Sequence, residues 1–63
     1  MRGKKIYTQD KRSIFVQIDK NNQICNLWDG EDRVYPEIMN EFRGRPLYTA
    51  WNELKARINE QQD

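Results

Sequence analysis

All three aromatic and four of the six basic side chains in the first 28 residues are candidates for binding single-stranded nucleic acid. The aromatic residues are Tyr7, Phe15 and Trp28, and the basic residues are Lys4, Lys5, Lys11 and Arg12. Each base that stacks on an aromatic ring contributes about 1–3 kcal/mol, and the cations neutralise phosphates. If the fold brings these seven residues to one face, they form a nucleic-acid-binding surface.

Two residues in the second half of the chain, Leu47 and Trp51, indicate a protein interface. They lie four residues apart on a predicted helix, and aromatic anchors dominate the binding energy of many interfaces. A chain of 63 residues without disulfides commonly enlarges its core by pairing with a second copy. The sequence therefore predicts a small accessory or regulatory protein that contacts itself, as a homodimer, or another protein, either through this helix or through the aromatic residues Tyr7, Phe15 and Trp28. Binding of single-stranded nucleic acid is the alternative function.

Residue types that enzymes and metal sites need are scarce in this sequence. The chain has no histidine, so it lacks an imidazole general base and a histidine metal ligand. Its single cysteine, Cys25, excludes an internal disulfide and a thiolate zinc site, and we expect it in the core. The three glycines are scattered, so no glycine-rich loop is available to hold a phosphate. We expect no enzymatic activity, no catalytic residue, no metal and no cofactor.

Charge is unevenly distributed along the chain, although the net charge is only +1. Residues 1–28 carry six basic and two acidic residues, whereas residues 29–63 carry five basic and eight acidic residues. The basic half is the part suited to a polyanion. The mean hydropathy of −1.11 argues against a membrane span, and residues 1–8 lack the apolar run of a signal peptide. We therefore expect a cytoplasmic protein without a membrane partner.

A β-hairpin is predicted by two alternating runs of β-branched and aromatic residues, at residues 13–19 and 23–28. Asn21 and Asn22 between the runs tolerate the positive φ of a tight turn. Loops of two and of four residues give the same register. In that register the cross-strand pairs are Phe15 with Trp28, Val16 with Leu27, and Ile18 with Cys25.

A first strand over residues 4–9 precedes the hairpin, but its register is open. A three-residue loop places Ile6 beside Val16 and Tyr7 beside Phe15. A two-residue loop exchanges the two faces, because a slip of one residue inverts every side chain. The three-residue loop is preferred since it buries Ile6 and leaves Lys5 outside.

Two helices are predicted after the hairpin, over residues 36–43 and 46–60. Pro36 and Pro46 suit helix starts, and Gly44 suits a C-terminal cap. The apolar spacing of Leu47, Trp51, Leu54 and Ile58 gives an amphipathic second helix. A helix-turn-helix reading of this segment is disfavoured, because residues 33–63 carry no net charge. Residues 1–63 are thus predicted to form one α+β domain, a three-stranded antiparallel sheet followed by two helices packed on one face.

Overall fold

The fold is an antiparallel sheet followed by two helices, which confirms the predicted α+β class. The computed structural model describes residues 2–61. The strands pair in chain order, and the elements are β1 (Gly3–Tyr7), β2 (Ser13–Ile18), β3 (Ile24–Asp29), β4 (Asp32–Arg33), α1 (Pro36–Phe42) and α2 (Leu47–Glu60). The two-residue β4 is an addition to the three predicted strands. Neither of the helices described is long and apolar enough to cross a membrane.

The core lies between one face of the sheet and the two helices. The sheet contributes Ile6, Ile14, Val16, Ile24 and Leu27, and the helices contribute Ile38, Met39, Phe42, Leu47, Ala50, Leu54 and Ile58. These positions follow the alternation of the strands and the apolar stripes of the helices. The helices therefore cover one face of the sheet and leave the other, which we call the open face.

The predicted pairing of β2 with β3 is confirmed at Phe15–Trp28 and Val16–Leu27. The predicted pair of Ile18 with Cys25 is wrong, because Ile18 lies opposite Ile24. A β-bulge after Gln17 shifts the register there.

The bulge arises because the turn between β2 and β3 contains three residues, not two or four. The backbone N–H of Asp19 donates to Gln23 O at 3.0 Å, and Asn22 adopts a φ of 63°. The register set by this turn is one residue out of step with that of the Phe15–Trp28 pair, and Cys25 is the extra residue that makes up the difference. Ile24, with 1% of its surface exposed, occupies the core position expected for Cys25, and Cys25 is half-buried.

The register of β1 also differs from the preferred one. Ile6 lies opposite Ile14, not Val16, and Tyr7 lies opposite Ser13, not Phe15. The shift is two residues, so Ile6 still faces the core. The turn still contains three residues, but it lies one residue earlier in the chain, because the backbone N–H of Thr8 donates to Arg12 O at 2.8 Å. Thr8 is buried and its Oγ1 accepts the backbone N–H of Arg12 at 3.0 Å, which closes the turn.

Two arginine–glutamate pairs fasten α2 to the segments before it. Arg57 on α2 binds Glu41 on α1, with Nη2 3.1 Å from Oε1. Arg45, between the helices, donates to Glu53 on α2 at 2.9 Å. In each pair, the hydrogen bond from the arginine is the main cause that lowers the pKa of the glutamate below its usual value of 4.5.

Acid should therefore weaken the fold through these pairs. A carboxyl group whose pKa is lower in the folded state stabilises the fold above its unfolded pKa, near 4.5. That contribution is lost as the pH falls through the folded pKa. We expect the Tm to fall between pH 5 and pH 3, and to fall less steeply in Glu41→Gln than in the wild type, as measured by circular dichroism. Because these side chains are exposed, the difference should be small.

The matched control for the acid series is Glu31→Gln. Glu31 lies exposed in the β3–β4 turn and forms no ion pair with any residue of the described range 2–61. Its variant should follow the wild-type pH profile. Equal slopes for Glu41→Gln and the wild type would contradict the role of the Arg57–Glu41 pair.

Candidate functional site on the open face of the sheet

The open face carries a row of four side chains, one from each strand. Lys5 lies opposite Phe15, Phe15 opposite Trp28, and Trp28 opposite Arg33. Directly opposed residues in an antiparallel sheet share a face and lie about 5 Å apart. Two rings are thus placed side by side between two cations. We call Lys5, Phe15, Trp28 and Arg33 the cross-strand row.

Hydrogen bonds on the open face hold the Trp28 ring in place. Its Nε1–H donates to Oε1 of Gln17 at 2.7 Å, and the same oxygen accepts Nδ2 of Asn26 at 3.2 Å. The Arg33 guanidinium carbon lies over the ring, 5.8 Å from its centre and within cation–π distance. The indole donor is satisfied inside the protein, so the part of the ring that Arg33 does not cover is what a ligand can contact.

The Phe15 ring is positioned by a glycine on the neighbouring strand. A Cβ atom on Gly3 would lie 2.7 Å from Cζ of Phe15 and would also overlap the Val16 carbonyl oxygen. Real Cβ atoms do not approach other atoms so closely. Gly3 therefore leaves the space that the edge of the Phe15 ring fills, and any side chain at Gly3 would displace the ring.

Beside the two rings lies a shallow depression of about 400 Å³. It is lined by Lys5, Ser13, Phe15, Trp28 and Gly30. Phe15 and Trp28 are half-buried, so each ring presents only part of its surface to solvent. The depression combines aromatic walls with one ammonium group and one hydroxyl group, a mixture suited to a planar, anionic ligand.

The open face is cationic. The strand residues that the register places on it are Gly3, Lys5, Tyr7, Ser13, Phe15, Gln17, Asn26, Trp28 and Arg33. This set contains two cations and no carboxylate, although the chain as a whole is nearly neutral. Within the described residues, the side chains at this face do not neutralise one another.

The structure brings together four of the seven residues predicted to contact nucleic acid. Lys5, Phe15 and Trp28 belong to the cross-strand row, and Tyr7, 75% exposed, lies on the same face opposite Ser13. Because of the register shift of β1, Tyr7 lies beside Ser13 and not beside Phe15. The three aromatic residues therefore do not form one continuous row: Phe15 and Trp28 are adjacent, and Tyr7 lies to one side.

The other three predicted residues lie elsewhere. Lys4 faces the helix side, where its Nζ lies 4.7 Å from the centre of the Trp51 ring. Arg12 binds Asp10 at 3.1 Å and Asp29 at 3.2 Å, so its charge is offset within the protein. Lys11 lies exposed in the β1–β2 turn with a φ of 69°.

Arg33 belongs to the row but was not among the predicted site residues. No strand is predicted over residues 31–33, because this short charged segment shows no alternation. In the structure Asp29 and Asp32 pair across a tight hairpin turn in which Gly30 has a φ of 64°. Asp-Gly is a strong hairpin signal. A two-residue turn at this point pairs Asp29 with Asp32 and therefore Trp28 with Arg33, so the dipeptide could have indicated the position of Arg33.

The protein interface predicted at Leu47 and Trp51 is only partly accessible to a partner. Leu47, predicted at a protein interface, is a core residue with 6% of its surface exposed. Trp51 is half-buried and lies near two cations, with Nζ of Lys4 4.7 Å and Nζ of Lys55 6.0 Å from its ring centre. Tyr48, one turn earlier on α2, is 80% exposed. We call Tyr48 and Trp51 the α2 surface.

Cys25 lies at the bulge, and its Sγ is 3.5 Å from the carbonyl oxygen of Gln17. Burial raises the pKa of the Cys25 thiol, and the nearby Asp19 adds to the effect. The thiol therefore stays protonated at neutral pH, which is unfavourable for a nucleophile. Among the described residues, the cross-strand row remains the strongest concentration of binding chemistry.

The chemistry of the open face is what characterises this chain: two half-buried rings, a cation at each end, and no acidic strand residue between them. Binding surfaces of this type are recognised by geometry and charge, since many unrelated functions share one fold. No protein-family model, no curated protein and no solved structure matches the chain.

Proposed function

We propose that this protein binds single-stranded nucleic acid on the open face of its sheet. The cross-strand row carries the proposal, because it places Phe15 and Trp28 side by side between Lys5 and Arg33. Bases stack on the exposed parts of the two rings, and the two cations contact the flanking phosphates. The role is one of binding, without catalysis.

The dimensions of the row fit a short single strand. Four neighbouring strands about 4.8 Å apart place Lys5 and Arg33 about 14 Å from one another. This span leaves room for bases on the two central rings and for a phosphate at each end. Gln17 and Asn26, in the adjacent row, offer amide groups to base edges.

Charge on the open face favours a polyanion over a second copy of the chain. Two open faces packed against one another would bring Lys5 and Arg33 of both copies into a dry interface. The strand residues of this face supply no carboxylate to pair with them. Unpaired charges in an interface cost binding free energy, whereas phosphates would neutralise the same two groups.

The test is fluorescence anisotropy with labelled single-stranded DNA and RNA between 50 and 200 mM salt. Each phosphate contact with a single strand contributes a slope of about −0.7 to the plot of log K against log salt. Contacts from Lys5 and Arg33 alone give a slope of about −1.4, which corresponds to about a sevenfold loss of affinity over this range. Duplex DNA should bind less well because its bases are already stacked. No binding of either single strand at 50 mM salt would overturn the proposal.

A second candidate function is protein binding through the α2 surface, either by a second copy, as a homodimer, or by another protein. Its support is the exposure of Tyr48 next to the half-buried Trp51, since exposed aromatic residues frequently anchor interfaces. Sedimentation velocity should then show a dimer that Tyr48→Ala dissociates. A monomer at all concentrations would remove the homodimer, and the open face would keep its proposed role.

A further inference from the structure

Arg33 also borders a second concave feature, at the junction of β3, β4 and α1. This cleft has a volume of about 270 Å³ and an apolar floor that includes Val34 and Met39. Its polar lining consists of two arginines and two asparagines, namely Asn26, Arg33, Asn40 and Arg43. We call it the Arg33–Arg43 cleft. Through Arg33 and Asn26 it is continuous with the open face of the sheet.

The two arginines of the cleft differ in their ion pairing from three other arginines of the fold. Arg12, Arg45 and Arg57 each form ion pairs with aspartate or glutamate. By contrast, neither Arg33 nor Arg43 forms an ion pair with a carboxylate of residues 2–61.

Arg43 is exposed and uses little of its hydrogen-bonding capacity within residues 2–61. A guanidinium group has five N–H donors, and Arg43 uses one nitrogen, Nη1, for a 3.4 Å bond to the Cys25 carbonyl oxygen. That bond anchors the side chain at the cleft and leaves donors for a ligand. Two guanidinium groups on one cleft, with no acidic side chain lining it, fit a single anionic group such as a phosphate.

We propose that the nucleic acid strand bound on the open face continues over β4 into this cleft, where a backbone phosphate binds between Arg33 and Arg43. This inference rests on the proposed function. The strand then runs from Lys5 across Phe15 and Trp28 to Arg33, and from there to Arg43. The apolar floor packs against the sugar or base of the nucleotide, and Oδ1 of Asn26 and the amide of Asn40 face its polar edges.

The decisive variant is Arg43→Gln, compared with Arg43→Lys. The glutamine variant should bind single-stranded DNA about tenfold more weakly at 50 mM salt, as expected for the loss of one charge-assisted hydrogen-bond contact. Its salt slope should fall in magnitude by at most about 0.7, the contribution of one phosphate, because Arg33 still contacts the phosphate that the two arginines share. The lysine variant should keep the wild-type slope, because its charge remains, and lose part of the affinity, because the bidentate geometry is lost.

Two readouts separate this contact from stacking and from damage to the fold. In a Trp51→Phe background, Trp28 is the remaining tryptophan, and its quenching at saturating DNA should be the same with and without Arg43→Gln. Lys55→Gln removes one positive charge from α2, away from the cleft, and should leave affinity and salt slope close to those of the wild type. Melting curves should show that each variant is folded at the temperature of the titration.

The outcomes for the cleft and for the open face are distinguishable. Wild-type affinity and salt slope in Arg43→Gln, together with loss of binding in Phe15→Ala, would overturn the cleft and leave the proposed function standing. The same would follow if Lys55→Gln reduced the slope as much as Arg43→Gln. Absence of wild-type binding at 50 mM salt would overturn the proposed function itself.

Discussion

Replacing Phe15 with alanine should weaken the binding of single-stranded oligonucleotides by about tenfold to a hundredfold, since each stacked base contributes about 1–3 kcal/mol. Phe15 is central to the row, with Lys5 on one side and Trp28 on the other. Truncating Phe15 removes one stacking surface and also removes the ring that lies beside the second stacking surface, Trp28. Trp28 keeps its hydrogen bond to Gln17, so the second ring stays in place.

The fold should survive this substitution. Phe15 is half-buried on the open face and is not part of the core between sheet and helices. Truncation of a half-buried side chain outside the core costs about 1–2 kcal/mol, within the range of ordinary point mutations. We therefore expect a cooperative melting transition at a moderately reduced Tm. Anisotropy titrations at 50 mM salt measure binding, and circular dichroism measures the fold.

Tyr48→Ala is the matched control for Phe15→Ala. It removes an aromatic ring that is 80% exposed on α2, in the helix layer. It should leave DNA binding unchanged. If Phe15→Ala bound as tightly as the wild type, the stacking role of Phe15 would be wrong. A shift of the oligomeric state in Phe15→Ala, with binding intact, would instead show that the open face packs against another protein.

The hairpin of β2 and β3 was predictable because local rules determine most of it. Alternation placed Val16 and Leu27 on the core face and Phe15 and Trp28 on the other, and the two asparagines indicated the turn between them. The limit of this reasoning is seen at Ile18. Turn length decides whether a bulge forms, and Asn22 in the left-handed region gave a three-residue turn with a bulge that placed Ile24, not Cys25, in the core.

The register of β1 depended on a contact that the alternation pattern does not contain. Alternation correctly placed Ile6 on the core side but could not choose between registers two residues apart. The choice is made by Thr8, which is buried and accepts the Arg12 N–H, so that the strand ends two residues before Gln9. As a result Lys5, and not Tyr7, is the neighbour of Phe15.

The site residues show the same division between local and tertiary information. Phe15 and Trp28 could be assigned to one face from alternation, whereas Lys5 joined them only through the preference for burying Ile6. Alternation could not show which of the other basic residues are paired within the fold. Arg12 forms an ion pair with Asp29, 17 residues away, and Lys4 lies over the Trp51 ring on α2. Arg33 reaches the row through β4, a strand of only two residues that offers no alternation to detect.

The largest loss of stability should follow Phe42→Ala. Phe42 ends α1, is completely buried, and has the largest of the fully buried side chains. Truncating a buried phenylalanine costs about 3–5 kcal/mol through lost burial and the cavity left behind. A domain of this length typically has a free energy of unfolding of about 3–9 kcal/mol. Phe42→Ala should therefore be largely unfolded, or close to it, at 37 °C.

Circular dichroism melting and urea unfolding measure this effect, and Phe42→Leu is the control. Leucine keeps most of the apolar volume and should remain folded with a lower Tm. A cooperative Tm for Phe42→Ala within a few degrees of the wild type would contradict the central position of Phe42 in the core. The two variants should reduce nucleic-acid binding for different reasons. Phe42→Ala removes the support of the whole sheet, whereas Phe15→Ala leaves the sheet folded and removes only a surface on its open face.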